Sequence, residues 1–286
     1  MIRFKLLCVI AAVVLRCVPA IASDRVATIE VPTTLIPGPM KCTVILPERY
    51  CAPGDTSRYP VVYMLNGHGG DYRSWPSLMP QADSLATLYD VIMVCPDGRN
   101  SWYWDSPVDP SMQMESFFVD CLVPAVDSLY RTVRARDARA ITGLSMGGHG
   151  ALWLAWRHPD LFGAAGSMSG GVDACSFPDK WNKADRLGKY EDNPSLWADH
   201  AVIGLVPSLK PGEVDLIVDC GYDDFFFADN NRLHAALIER GIPHDYIVRP
   251  GGHTGEYWSN SILYHLQFFN RGFVNARKNG WKQAAE

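Results

Sequence analysis

The sequence predicts an α/β fold, one mostly parallel sheet with helices packed on both of its faces. Three observations lead there. Short apolar runs alternate with segments of helical spacing along nearly the whole chain, and such alternation builds a parallel sheet through crossover helices. The runs at 61–65 and 91–94 are apolar without interruption, and that at 214–218 is broken only by Asp215, as strands buried on both faces are. At 142–150 an apolar run passes through Thr-Gly-Leu-Ser-Met-Gly-Gly-His-Gly directly into a helical pattern.

Taken in order, 27–33 and 41–46 read as two opening strands, with a turn at Pro37-Gly38-Pro39 between them. Residues 51–59 form a polar loop, 61–65 a buried strand, and 76–89 a segment that is helical in part. The strand at 91–94 is closed by Pro96-Asp97-Gly98 and followed by the aromatic loop Trp102-Tyr103-Trp104. Phe117, Phe118, Cys121, Leu122, Ala125, Val126 and Leu129 have helical spacing within 112–130. Residues 139–142 lead into the glycine-rich turn, and the helix after it ends near Arg157-His158-Pro159. A strand of small residues follows at 162–168. Residues 170–212 have weak periodicity and read as an excursion above the sheet, not as a second domain. The chain closes with a strand at 214–218, a helix at 230–240 stopped by Gly241, a strand at 246–248 and a helix at 257–273.

The chain has 286 residues, 48% of them apolar and 20% charged, enough for one large domain with a full core. Residues 1–22 have the order of an export signal. Arg3 and Lys5 are basic, 6–15 is an apolar run too short to span a bilayer, and Ala20-Ile21-Ala22 is a small-residue cleavage site. The expectation is a leader, 1–22, that is removed, and a single domain, 23–286, exported to the periplasm or beyond with no stable membrane insertion. The net charge is −5, and −8 without the leader's three basic residues. An acidic protein with no basic run has no electrostatic footprint for nucleic acid or an anionic membrane. Six cysteines remain after the leader, at 42, 51, 95, 121, 175 and 220. Export permits disulfides, but six cysteines allow fifteen complete pairings and the spacing selects none. No cysteine or histidine cluster has zinc spacing, and no cofactor is expected.

The turn at 142–150 contains Gly143-Leu144-Ser145-Met146-Gly147, a G-x-S-x-G stretch between a strand and a helix. That context is the one a nucleophile elbow requires, and it makes the fold an α/β-hydrolase. A β-carbon at either glycine would clash across so tight a turn. Ser145 is then placed at the carboxyl edge of the sheet, where such folds bind ligands. A serine hydroxyl needs a base to take its proton. His253, in Gly251-Gly252-His253-Thr254 just past the last strand, has the position of that base. The acid that orients it should follow the preceding strand, where Asp219, Asp223 and Asp224 are available. Asp219 is still within the strand, and Asp223 and Asp224 both lie in the loop. The developing oxyanion needs two backbone N–H donors. Met146, after the nucleophile, supplies one, and His68 in Asn66-Gly67-His68-Gly69-Gly70 supplies the other. Trp75, Trp102, Trp104 and Phe225 fall in or near loops at the same edge, where they would line an acyl or aromatic pocket. Glu115 and Asp120 read as salt-bridging or capping residues, and His149 as packing beneath the elbow.

On these residues the chain resembles the esterase family of α/β-hydrolases that includes esterase D (S-formylglutathione hydrolase), tributyrin esterases, feruloyl and acetyl-xylan esterases and the secreted mycolyltransferases. The resemblance lies in 61–75, 96–107, 142–151, Gly166-Ser167-Met168-Ser169-Gly170-Gly171, 219–225 and 251–258. It implies acyl-ester chemistry by an acyl-enzyme, with Ser145, Asp224 and His253 as the triad and His68 and Met146 as the oxyanion donors. Many members have histidine before the glycine of the oxyanion loop, where this chain has Asn66. The leader sets the chain apart from S-formylglutathione hydrolase, which serves a cytosolic thiol. It suits esterases that remove acetyl or feruloyl groups from carbohydrates. Transfer of the acyl group to a sugar or lipid alcohol, S-formylglutathione-type thioester cleavage and a binding role on a retired esterase scaffold are the alternatives.

Overall fold

The computed structural model describes residues 25–281. The expected leader and its cleavage site lie outside the described residues. Eight strands form one sheet: β1 (Val26–Val31), β2 (Met40–Ile45), β3 (Val61–Leu65), β4 (Ile92–Pro96), β5 (Arg139–Leu144), β6 (Ala164–Met168), β7 (Asp215–Gly221) and β8 (Asp245–Arg249). Their order is β1-β2-β4-β3-β5-β6-β7-β8. The β1–β2 and β2–β4 pairs are antiparallel, and every pair from β4 to β8 is parallel. The expected α/β-hydrolase architecture is therefore present, with β5, the strand that carries Ser145 at its end, between β3 and β6.

The central strands β3, β4, β5 and β6 are buried at every residue, which is why β3 and β4 read as apolar runs. Their side chains divide between two cores. Val61, Tyr63 and Leu65 face one with the helix Met146–Arg157, while Val62 and Met64 face the other with Ile262, Leu266, Phe269 and Phe273 of the C-terminal helix. That alternation is the two-residue period of a strand. The edge strands β1 and β8 are half exposed, with burial alternating along β1.

Several bounds differ from the sequence reading. The segment at 76–89 is two helices, Ser74–Leu78 and Ala82–Tyr89, separated at Pro80, where a missing N–H breaks the ladder. The helix at 114–129 contains a wide π turn at Phe118–Leu122 just before Pro124, which accommodates the proline ring within the helix. The C-terminal helix runs Gly255–Lys278, capped by the Thr254 hydroxyl, which accepts from Tyr257 N. The excursion after β6 sends Val172, Ala174, Leu187 and Trp197 into the same core as the elbow helix. Among the described residues, the cysteines at 42, 51, 95, 175 and 220 are free thiols.

Candidate active site

The elbow is as tight as its glycines suggest. A β-carbon on Gly143 would meet the carbonyl of Gly147 at 2.4 Å, and one on Gly147 would meet the Leu65 carbonyl oxygen at 2.4 Å. Ser145 takes φ 56° and ψ −118°, a region disfavoured for a residue with a side chain. Backbone bonds hold it there: Ser145 N donates to Met168 O at 2.9 Å, and Ser145 O accepts from His149 N and Gly171 N.

Three loops at the carboxyl edge bring the other groups to Ser145. The loop after β8 carries His253, whose Nε2 lies 2.9 Å from Ser145 Oγ. The loop after β7 carries Asp224, whose Oδ2 lies 2.8 Å from His253 Nδ1. Asp224 Oδ1 accepts from Phe226 N at 2.8 Å, so both carboxylate oxygens are occupied. An ionised carboxylate only accepts, which puts the imidazole proton on Nδ1 and leaves Nε2 bare toward the serine hydroxyl. Asp223 turns outward and accepts from Gly251 N at 3.3 Å. Asp219 is buried within β7 and bonded to Tyr257 and Arg249; burial raises its carboxyl above the ordinary range, against those two partners.

The third loop follows β3. A β-carbon on Gly67 would lie 3.3 Å from Ser145 Cβ, so the backbone of Gly67 runs close to Ser145, and His68 lines the same cleft. Asn66 braces the loop from within: its Nδ2 donates to Gly67 O at 2.9 Å, and its Oδ1 accepts from Gly98 N at 2.8 Å and from the Tyr103 hydroxyl. The N–H of Met146 opens the elbow helix, where the first N–H groups have no intrahelical acceptor. The His68 ring is engaged elsewhere, with Nε2 2.9 Å from Asn182 Oδ1.

A cleft of about 750 Å³ opens at this point, lined by Gly67–Asp71, Arg73, Ser74, Ser77, Leu78, Leu144, Ser145, Trp181, His253 and Trp258. The aromatic expectation needs correction here. Trp75, Trp102 and Trp104 are fully buried and line no part of the cleft. Each is held inward: Trp75 Nε1 donates to Leu65 O, Trp102 Nε1 donates to Trp181 O, and Trp104 stacks on Trp102 with ring centroids 5.5 Å apart. Burying an indole gains most when its N–H also finds an acceptor. Phe225 is exposed beside the site, and its ring covers His253 at 4.3 Å between centroids. Trp258 meets the same imidazole edge-on at 4.8 Å. Trp181 and Trp258 form the aromatic wall, and sequence reasoning passed over both. Trp258 had a signal, lying one turn inside the helix that follows His253.

Glu115 is a structural residue, as expected. It accepts from Trp153 Nε1, Arg157 Nε and His158 Nε2 at 2.7–2.8 Å. Burial works against its ionisation, but the bonds from His158, Arg157 and Trp153 prevail and hold the carboxyl below its ordinary range. His149 packs under the elbow, fully buried, with Nδ1 3.2 Å from Gly171 O. Burial depresses its pKa to about 3. Among the described residues no group of three or more histidine, cysteine, aspartate or glutamate side chains is set to hold a metal. No helix among them is long and apolar enough to cross a membrane.

Comparison with known proteins finds esterases. The family model described as "Putative esterase" matches residues 33–269. An acetyl esterase of Caldicellulosiruptor saccharolyticus is 25% identical over 229 residues, covering 76% of this chain and 85% of its own. Esterase Rv1288 of Mycobacterium tuberculosis is 35% identical over 240 residues, covering 74% of this chain and 52% of its own. The chain thus spans about half the length of that relative. A solved ferulic acid esterase superposes with a TM-score of 0.76 at 29% identity, covering 87% of this chain and 98% of its own.

Proposed function

Because the chain belongs to the esterase family whose model spans residues 33–269, and is therefore an ester hydrolase, we propose that it cleaves carboxylic esters through an acyl-enzyme on Ser145. The observation that carries this reading is the unbroken relay Ser145 Oγ–His253 Nε2–His253 Nδ1–Asp224 Oδ2, with steps of 2.9 and 2.8 Å. Ser145 Oγ attacks the ester carbonyl as its proton passes to His253 Nε2. Asp224 fixes the tautomer and stabilises the imidazolium. The oxyanion is held by the backbone N–H groups of His68 and Met146, and losing one such donor costs about 10²–10³ in rate. His253 then protonates the leaving alkoxide, the alcohol departs, and water deprotonated by His253 releases the acid from Ser145.

Small acetyl or feruloyl esters of carbohydrates are the substrates this reading favours. Its support is the naming of one relative as an acetyl esterase and of a structural neighbour as a ferulic acid esterase, together with a cleft walled by Trp181 and Trp258. Export is proposed from the basic, apolar and small-residue order of residues 1–22.

The test is Ser145→Ala on methyl acetate and methyl ferulate, alongside labelling by a fluorophosphonate. The variant is expected to lose labelling and at least about 10³ of the rate, and retention of full activity refutes the mechanism. Adding a competing sugar alcohol separates hydrolysis from acyl transfer: free acid as the main product supports hydrolysis, and the sugar ester as the main product overturns it.

A further inference from the structure

The segment at 173–183 reaches the Ser145 cleft at Trp181 on backbone that β-carbons disfavour. It contains no glycine, yet Phe177, Trp181 and Asn182 have φ of 53°, 56° and 55°. Left-handed residues of this kind persist only where their surroundings hold them. Lys183 does much of the holding. It is 1% exposed, and from the far end of the segment its Nζ reaches back to its start, donating to Ala174 O at 2.8 Å and to Ser176 O. Three indoles surround the ammonium, with the ring centroids of Trp102, Trp197 and Trp181 at 5.4, 5.5 and 5.8 Å. A cation over indole faces is held more strongly when desolvated.

The corner so held touches both halves of the site. Trp181 lines the cleft and stacks on Phe225 at 5.4 Å, the ring that covers His253. Asn182 Oδ1 meets the His68 ring at 2.9 Å, tying the corner to the loop beside Ser145. We propose that Lys183 is a positioning residue for substrate choice: its buried ammonium fixes the Trp181–Asn182 corner as the wall against which a planar acyl group lies. Burial pushes the Lys183 pKa down to about 8, against the charges of Asp173, Cys175 and Asp229. His149, on the elbow helix, is the other titratable group within its field.

The experiment measures KM for methyl ferulate and methyl acetate by pH-stat in the wild type, Lys183→Met, Trp181→Ala and the double variant. Lys183→Met is expected to raise KM for the ferulate about tenfold and that for the acetate less than about threefold. In the Trp181→Ala background the same change should add less than about twofold, because two residues acting through one contact are not additive. An equal rise for both esters, or an undiminished effect without Trp181, overturns the proposal, since a general loss of packing acts on both substrates and in both backgrounds. If the methionine variant does not fold, the wild type decides. Its ferulate-to-acetate KM ratio should climb as pH passes about 8 and the ammonium empties, and a ratio constant from about pH 6.5 to 9.5 overturns the idea. The proposal rests on Ser145 as the seat of ester cleavage. That reading fails separately, through an active Ser145→Ala, before any Lys183 variant is made.

Discussion

Asp224 Oδ2 and His253 Nδ1 stand 2.8 Å apart, with the carboxylate side chain 0% exposed and the imidazole 15% exposed. One residue earlier, Asp223 faces solvent, and its carboxylate accepts from the Gly251 N–H. Two adjacent carboxylates in one loop thus have different surroundings, because the chain turns between them. Asp224→Asn is expected to lower kcat about 10³–10⁴-fold by losing the acceptor that fixes the tautomer, while Asp223→Asn stays within about threefold. Steady-state kinetics on a small ester separates the two, and similar losses in both variants would refute the assignment.

The contact of Gly143 with Gly147 leaves no room for a methyl group, since backbone and not a movable side chain lies 2.4 Å from the added carbon. Gly143→Ala is expected to cost about 3 kcal/mol of stability, through displacement of the strand–helix junction. Urea denaturation measures it. Activity should fall with it even where the protein stays folded, because Ser145 moves with the turn.

Glu115 ties the long helix at 114–129 to the end of the elbow helix. Its pKa lies below the ordinary carboxylate value of 4.5, so the stability it contributes is full above that pH and is lost as pH falls through the lower native value. Glu115→Gln should therefore be less stable at pH 7 by about 2 kcal/mol, the worth of hydrogen bonds to a buried charge. The gap between the two proteins should narrow below pH 4.5. Denaturation curves at several pH values test this, and a gap independent of pH contradicts it.

His149 and His265 are both fully buried, and burial depresses each pKa to about 3. His265 Nδ1 is 2.9 Å from the Thr142 hydroxyl beneath the elbow strand. Unfolded histidine takes a proton near its ordinary 6.5, and the native pair does not until about 3. The sign follows: the unfolded chain binds more protons in that window, so stability falls as pH is lowered through it, by about 1.4 kcal/mol per pH unit for each group. Imidazole NMR titration of the folded protein should show two rings that do not shift between pH 8 and about 4.5. A midpoint near 6.5 for either ring would contradict the burial argument.

The sequence by itself determined the elements that depend on local pattern. The α/β alternation, the buried strands and the strand–turn–helix at Ser145 were legible because strand and helix periods, and the steric demand for glycine at 143 and 147, are written within a few residues of one another. The chain order of Ser145, the acid loop and His253 was legible for the same reason. Element ends were less so: Pro80 divides a segment that reads as one, and the last helix runs past its apolar pattern to Lys278.

Only the tertiary structure decided which large side chains face the cleft and which fill the core. Trp75, Trp102 and Trp104 resemble cleft residues in one dimension, as Trp181 and Trp258 do. The difference lies in distant acceptors and ring partners, such as Leu65 O for Trp75 and Trp181 O for Trp102, supplied by segments up to 79 residues away. The same holds for Lys183. An ammonium reads as a surface charge until three indoles and two backbone carbonyls close around it. Burial is a property of what surrounds a side chain, and those surroundings exist only once the chain has folded.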